Sequence, residues 1–179
     1  MGPTGPGFSL EGGGYVRVRA RKGTADRMEL RPFSLSDALA LLAGERRPDW
    51  HPEFPADGDI AAATHFRVQS ETDGNPQPFG PRLVALDGVV VGMAGVIRGP
   101  DERGTVEVGY GVVEAVRHRG VGSRALKALI EELRRLDVRR IVATTDQDNV
   151  ASQGVLVQAG FRIVGEDAQQ VLWELELLV

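Results

Sequence analysis

The chain has no cysteine among its 179 residues, and this absence excludes several kinds of chemistry. Disulfide bonds, thiolate metal sites and a cysteine nucleophile are all ruled out. The three histidines and the carboxylates show no metal-ligand spacing, and nothing supports a Ser-His-Asp arrangement. We therefore expect neither a metal site nor a thiol nucleophile.

Long apolar runs are also missing, since none approaches the roughly 20 residues that a membrane-spanning helix needs. The N-terminus lacks the charged-then-apolar pattern of a signal peptide. Met1-Gly2 fits the start of a myristoylation motif, but Pro6 stands where that motif has Ser or Thr. These features predict a soluble cytoplasmic protein without a membrane partner.

Positive charge is scarce overall, with 21 basic against 25 acidic residues and a net charge of −4. This balance argues against nucleic acid as a main partner. The distribution is uneven, because residues 114–140 hold eight Lys or Arg and four Asp or Glu. A basic segment within an acidic chain fits an anionic small-molecule cofactor.

The chain length and a hydrophobic content of 42% predict a single domain with one core. We place this domain at residues 28–179, behind an N-terminal extension of residues 1–27. Residues 1–14 include eight Gly or Pro and are expected to be mobile. Residues 15–22, YVRVRARK, alternate apolar and basic side chains, which fits either an extra edge strand or a solvated basic arm.

The most informative stretch begins with an alternating strand, TVEVGYGV, at residues 105–112. One face carries Val and Tyr side chains. The other face carries Thr105, Glu107, Gly109 and Gly111, and is nearly bare. Two glycines on one face of a strand indicate a bulge or a surface that another group approaches closely.

A basic, glycine-containing turn follows this strand and leads into an amphipathic helix. The helix has an apolar stripe formed by Val121, Leu126, Leu129, Ile130, Leu133 and Leu136. Its N-terminus therefore coincides with the glycines of the turn, where free N–H groups and the helix dipole favour a phosphate. The GxxxxGK(S/T) and GxGxxG fingerprints are absent, and the spacing present is Arg117-x-x-Gly120-x-Gly122.

The other elements are predicted from periodicity and turn residues. A capping-box-like Ser34–Asp37 opens a helix with Leu35, Leu39 and Leu42 on a shared face that is expected to be buried in the core. Asp87-Gly88 predicts a hairpin turn, and Asn149 and Gly160 predict the start and end of a late helix. A further helix is expected at residues 59–70, with strands at 28–31, 82–86, 89–97, 139–145, 161–164 and 171–177.

Two motifs carry a family resemblance. Arg117, Gly120 and Gly122 match the (Gln/Arg)-x-x-Gly-x-(Gly/Ala) signature of the GNAT superfamily of N-acetyltransferases. Residues 145–152, TDQDNVAS, and residues 158–161, QAGF, resemble the second stretch of its ribosomal-protein N-terminal acetyltransferase-like branch. The resemblance implies an α/β fold, with a mixed, mostly antiparallel sheet flanked by helices.

The resemblance also implies direct transfer of an acetyl group from acetyl-CoA to a primary amine. The implied cofactor-binding residues are Val112, Val113, Arg117, His118, Arg119, Gly120, Val121, Gly122, Ser123 and Asn149. Two positions depart from the family pattern. Glu114 stands where proline is frequent, and His118 stands where glycine is frequent.

Glu107 is the candidate general base, acting through water on the acceptor ammonium, and burial there is expected to raise its pKa. The alternative is a strand glutamate that pairs with an arginine or faces solvent. Ser152 is the candidate proton donor for the thiolate, because the tyrosine that many family members place in this helix is missing. Asn149 and Ser152 also suit an N-cap and a first-turn polar residue.

The acceptor stays open between a protein or peptide N-terminus and a small-molecule amine. His51 and His65 are candidates for lining its pocket, with surface or core positions as the alternative. A homodimer is possible. The rival function is a regulatory module that binds acyl-CoA without turnover.

Overall fold

The computed structural model describes residues 26–177. Residues 1–25 lie outside this range. They include most of the predicted extension and all of residues 15–22, which were expected to be an edge strand or a basic arm. None of the helices described within it is long and apolar enough to cross a bilayer.

The described residues form one seven-stranded sheet in the order β1-β2-β3-β4-β5-β7-β6. Every neighbouring pair is antiparallel except β4 and β5, which run parallel. This arrangement confirms the predicted mixed, mostly antiparallel fold. The strands are β1 Met28–Pro32, β2 Pro81–Leu86, β3 Val89–Arg98, β4 Thr105–Val112, β5 Arg140–Asp146, β6 Arg162–Glu166 and β7 Gln170–Glu176.

The hairpin between β2 and β3 turns where the sequence predicts. Asp87 and Gly88 both have positive φ, +50° and +85°, as a two-residue turn between twisted antiparallel strands requires. Four helices flank the sheet: α1 Leu35–Leu42, α2 Asp57–Thr72, α3 Val121–Arg134 and α4 Val150–Gln158.

The capping box of α1 is confirmed, but its predicted buried face is wrong. The Ser34 hydroxyl accepts the N–H of Asp37 at 3.1 Å, and the Asp37 carboxylate accepts the N–H of Ser34 at 2.9 Å. Leu35 and Leu39 are exposed, whereas Ala38 and Leu41 are buried. Because α1 packs closely against α2, the side of α1 that carries Ala38 faces inward. The predicted leucine stripe lies at the edge of this helix contact.

The stripe of α3 is buried as predicted, from Val121 to Leu133, although the helix ends before Leu136.

The helix α4 ends in a Schellman motif. Gly160 has φ +92°, its N–H bonds the carbonyl of Val157, and the N–H of Phe161 bonds the carbonyl of Leu156, both at 3.0 Å. The predicted ending is therefore correct, with Gly160 one position beyond the C-cap residue.

The sheet has a seam where its two antiparallel parts meet. β4 and β5 pair only at Thr105–Glu107 with Arg140–Val142. Beyond Glu107, the last five residues of β4 are paired with β3 and have no pairing with β5. The two strands thus separate toward their C-terminal ends, and the space between them is available for a ligand.

Candidate active site

A cavity of about 130 Å³ lies at this seam. β3, β4, β5 and α4 supply its walls. The lining residues are Ile97, Glu107, Val108, Gly109, Tyr110, Ala143, Thr144, Thr145, Asn149, Ser152 and Leu156. The structure therefore brings the two predicted catalytic residues, Glu107 and Ser152, to the same cavity.

The predicted phosphate turn is an uncapped helix N-terminus. After a short 3-10 turn at Glu114–Val116, the chain reaches α3 through His118 with φ +59° and Gly120 with φ +71°. Gly120 occupies the N-cap position, and no side chain in the described part of the chain caps the helix there. A Cβ added to Gly120 would meet nothing within 4 Å. The first N–H groups of α3 thus face open space, which suits an anion.

Two arginines at this turn contact Asp26, which lies two residues before β1. Arg119 forms an ion pair with the Asp26 carboxylate at 2.6 Å, and Arg124 donates to the Asp26 carbonyl at 2.7 Å. The Nε of Arg124 is buried and has no hydrogen-bond partner among residues 26–177. This orphaned donor, the open space at Gly120 and the uncapped helix fit the diphosphate of coenzyme A.

The segment between β4 and the turn is anchored to the rest of the domain. Val112 pairs with Gly92, the N–H of Val113 donates to the carbonyl of Val91 at 2.8 Å, and the Val113 side chain is buried. The Glu53 carboxylate accepts the N–H of Ala115 at 3.1 Å. Glu114, one of the two departures from the family pattern, is exposed.

Glu107 combines features of both its interpretations. Its side chain is 17% exposed, lines the cavity and forms an ion pair with Arg98 at 3.2 Å. Arg98 is 79% exposed. The carboxylate is therefore positioned in the cavity and is also paired with a solvent-exposed arginine.

Asn149 and Ser152 form the predicted N-terminal cap of α4. The Asn149 side-chain oxygen accepts the N–H of Ser152 at 3.1 Å, and both residues line the cavity. The capping interpretation is thus confirmed, while a cofactor-binding role for Asn149 and a proton-donor role for Ser152 stay predictions.

The sequence analysis missed Tyr110 as a site residue. Its hydroxyl donates to the carbonyl of Ser152 at 3.1 Å, and burial raises the pKa of this phenol. Its ring lies 3.8 Å from where a Cβ on Gly122 would stand, so it bridges α3 and α4. In the sequence, this tyrosine lies on the same strand face as several valines. A face of this kind is typical of the core, so the pattern did not indicate a site residue.

His51 and His65 lie away from the seam cavity. His51 donates its backbone N–H to the Val90 carbonyl at 2.9 Å, and its Nδ1 accepts the N–H of Glu53 at 3.2 Å. His65 is exposed on α2. Neither lines the seam cavity. Within residues 26–177, no group of three or more His, Asp or Glu side chains is arranged to hold a metal ion.

Comparison with known proteins accounts for this architecture. A sequence model of the GNAT acetyltransferase domain matches residues 27–162. An uncharacterized N-acetyltransferase, YjdG of Bacillus subtilis strain 168, is 34% identical over 124 residues, covering 68% of this chain and 74% of the relative.

Solved structures show the same fold. RimL, a ribosomal L7/L12 alpha-N-protein acetyltransferase in complex with coenzyme A, has a TM-score of 0.62 at 18% identity, covering 84% of this chain and 94% of RimL. A ribosomal-protein-alanine N-acetyltransferase from Brucella melitensis has a TM-score of 0.57 at 25% identity, covering 83% and 99%. The domain match and the relative together establish that the chain belongs to the GNAT family of acetyltransferases, which use acetyl-CoA.

Proposed function

We propose that the protein transfers an acetyl group from acetyl-CoA directly to a primary amine, either a protein or peptide N-terminus or a small molecule. The observation that carries this proposal is the seam cavity, which brings together the Glu107 carboxylate, the Tyr110 and Ser152 side chains and the open end of β4. The named activities of RimL and the Brucella enzyme support an N-terminal acceptor.

The cofactor would be held by one continuous stretch and one helix cap. Val112 and Val113 would lie along its arm, the segment Arg117–Ser123 would take its diphosphate, and Asn149 would contribute from α4. Within the segment we assign the binding to Arg117, His118, Arg119, Gly120, Val121, Gly122 and Ser123. Acetyl-CoA supplies an acetyl group activated as a thioester.

Glu107 removes the proton from the acceptor ammonium, through a water molecule. The ion pair with Arg98 does not prevent this, because a pair with a largely exposed arginine is worth about 0–1 kcal/mol. A general base must be within reach of the proton that it accepts, and the cavity position of Glu107 provides that reach.

The departing thiolate needs a proton, and we consider two of the hydroxyl-bearing residues that line the cavity as its donor. Ser152 is the residue that the sequence analysis assigned. The Tyr110 hydroxyl lies against the backbone of Ser152 and is the second candidate. The absence of cysteine from the chain agrees with direct transfer, since no thiol is present to carry the acetyl group.

The second candidate function is a regulatory module that binds acyl-CoA without turnover. The lack of a tyrosine in α4 favours it. The test is thiol release from acetyl-CoA with a panel of small amines and N-terminal peptides. Turnover with any member supports the enzyme, whereas tight coenzyme A binding without turnover on the whole panel supports the module. A cytoplasmic location, a homodimer and the boundary at residue 28 stay predictions.

A further inference from the structure

A β-bulge in β3 lies directly beside the candidate base. Val96 is opposite Val108 in β4, and Arg98 is opposite Glu107, so Ile97 is an extra residue without a partner. A bulge interrupts the alternation of side chains, and such interruptions often redirect a side chain next to an active site.

The bulge places two consecutive side chains of β3 on the face that carries Glu107. Arg98 reaches the Glu107 carboxylate. The Cδ1 of Ile97 lies only 2.7 Å from where a Cβ on Gly109 would stand. Since Glu107 and Gly109 share one face of β4, Ile97 and Arg98 must both lie over it.

Ile97 is 47% exposed although it is a large apolar residue, and it lines the cavity with Glu107. Gly109 leaves room for this position, because a Cβ there would force the Ile97 side chain to shift. The nearly bare face predicted from the glycines is thus partly covered by the chain's own isoleucine. An exposed apolar side chain fixed next to a base is available to contact a substrate.

We propose that Ile97 determines acceptor specificity by contacting an apolar group on the carbon next to the reacting nitrogen. The acceptor class is then an amine with one positive charge and an apolar neighbour, such as a peptide with an apolar first residue or an alkylamine. The exposed guanidinium of Arg98 disfavours polyamines, whose further charges it would repel. This inference rests on the proposed acetyl transfer.

The experiment compares kcat/KM of the full chain for peptides that differ only in a first Gly, Leu or Phe, together with butylamine and spermidine. The wild type should prefer Leu and Phe to Gly, and butylamine to spermidine. Ile97→Ala should reduce the preference for Leu over Gly about tenfold while leaving the Gly peptide unchanged. Ile97→Thr, which retains β-branching but is more polar, should also lower it.

Ile163→Ala is the matched control, because Ile163 is 53% exposed on β6 and does not line the cavity. It should leave all preferences unchanged. The affinity for coenzyme A, measured by calorimetry, should be the same in the wild type and in both Ile97 variants. A loss of coenzyme A affinity in both would overturn the assignment to the acceptor side.

Two other results would contradict the proposal. One is the wrong peptide or amine preference: a wild type that prefers Gly or spermidine, or, with the same meaning, an Ile97→Ala variant that retains the Leu preference. The other is an Ile97→Ala variant that gains activity with propionyl-CoA or butyryl-CoA at constant peptide preference, because Ile97 would then border the acyl group. Calorimetric binding of the Leu peptide to the coenzyme A complex tests Ile97 without turnover, so its outcome is separate from that of the proposed function.

Discussion

The proposed cofactor side and the proposed acceptor side are built in different ways. The cofactor side is a continuous stretch, Val112–Ser123, whose shape depends on local backbone geometry such as the positive φ of Gly120. The acceptor side combines Ile97, Arg98 and Glu107 from two strands through a bulge in their pairing. Binding of the cofactor is therefore encoded in a short motif, whereas the reacting groups depend on the register of the sheet.

The two sides also differ in charge. The cofactor side presents an uncapped helix N-terminus and arginines, which attract a phosphate. The acceptor side presents an ion pair and an exposed isoleucine, which suit a single ammonium with an apolar neighbour. Variants of one side should therefore leave the other side's function intact, and each prediction below uses this separation.

The largest effect is expected from Glu107→Gln on the acceptor side. Removing a general base should lower kcat by about 10²- to 10⁴-fold, while the affinity for coenzyme A is unchanged. Steady-state kinetics and calorimetry on the same preparation measure both. Glu174→Gln is the control, because Glu174 is also a mostly buried strand glutamate paired with arginines but does not line the cavity. Unchanged kcat in Glu107→Gln would contradict the base assignment.

A stability effect is expected from Asp59 in α2, outside the cofactor side. Burial raises the pKa of its carboxyl from 3.8 to about 6, although the N–H of Ala56 donates to it and opposes this shift. The folded state therefore favours the protonated form. The contribution of Asp59 to stability is fully present below about pH 3.8 and is lost as the pH rises through about 6.

Asp59→Asn should consequently stabilise the protein at pH 7.5, by at most about 3 kcal/mol, with a gain that shrinks toward zero near pH 4. Urea unfolding across this range measures the gain, and coenzyme A affinity should not change. The exposed Asp57→Asn in the same first turn is the control and should cost about 0.5 kcal/mol at pH 7.5. A gain that does not depend on pH would show that the Asp59 carboxyl is not the cause.

On the cofactor side, Gly120→Ala should weaken coenzyme A binding about tenfold, since the left-handed backbone costs a non-glycine residue roughly 1–2 kcal/mol and its relaxation moves the helix N–H groups. Gly44→Ala is a close control. Gly44 has φ +72°, against +71° for Gly120, and a Cβ at either position meets nothing within 4 Å. Both variants should lose similar stability, and only Gly120→Ala should lose affinity. Equal affinities would remove the turn from the cofactor site.

The smallest effect is expected from Asp26→Asn. The Asp26 carboxylate competes with a phosphate for Arg119, so its removal should tighten coenzyme A binding up to about fivefold. The gain should decrease in high salt, because this pair is partly exposed. Glu29→Gln, which removes an exposed partner of Arg27, serves as the control. Weaker binding by Asp26→Asn would instead show that Asp26 orients Arg119.

Local signals predicted the parts of the fold that local interactions stabilise. The Asp87-Gly88 turn, the Ser34–Asp37 capping box and the Asn149 cap each depend on residues within a few positions, and all three are confirmed. The buried face of α1 was predicted wrongly because packing against α2 decided it. Tyr110 was missed because its partner Ser152 is 42 residues away.

The sequence by itself determined the helix that begins at the glycine turn and the strand with the bare face, because backbone conformation and side-chain periodicity act over short distances. Only the tertiary structure decided that β4 and β5 separate beyond Glu107, that Ile97 bulges over Gly109, and that Asp26 meets Arg119. These contacts join residues far apart in the chain, and their geometry follows from strand register, which no single segment specifies.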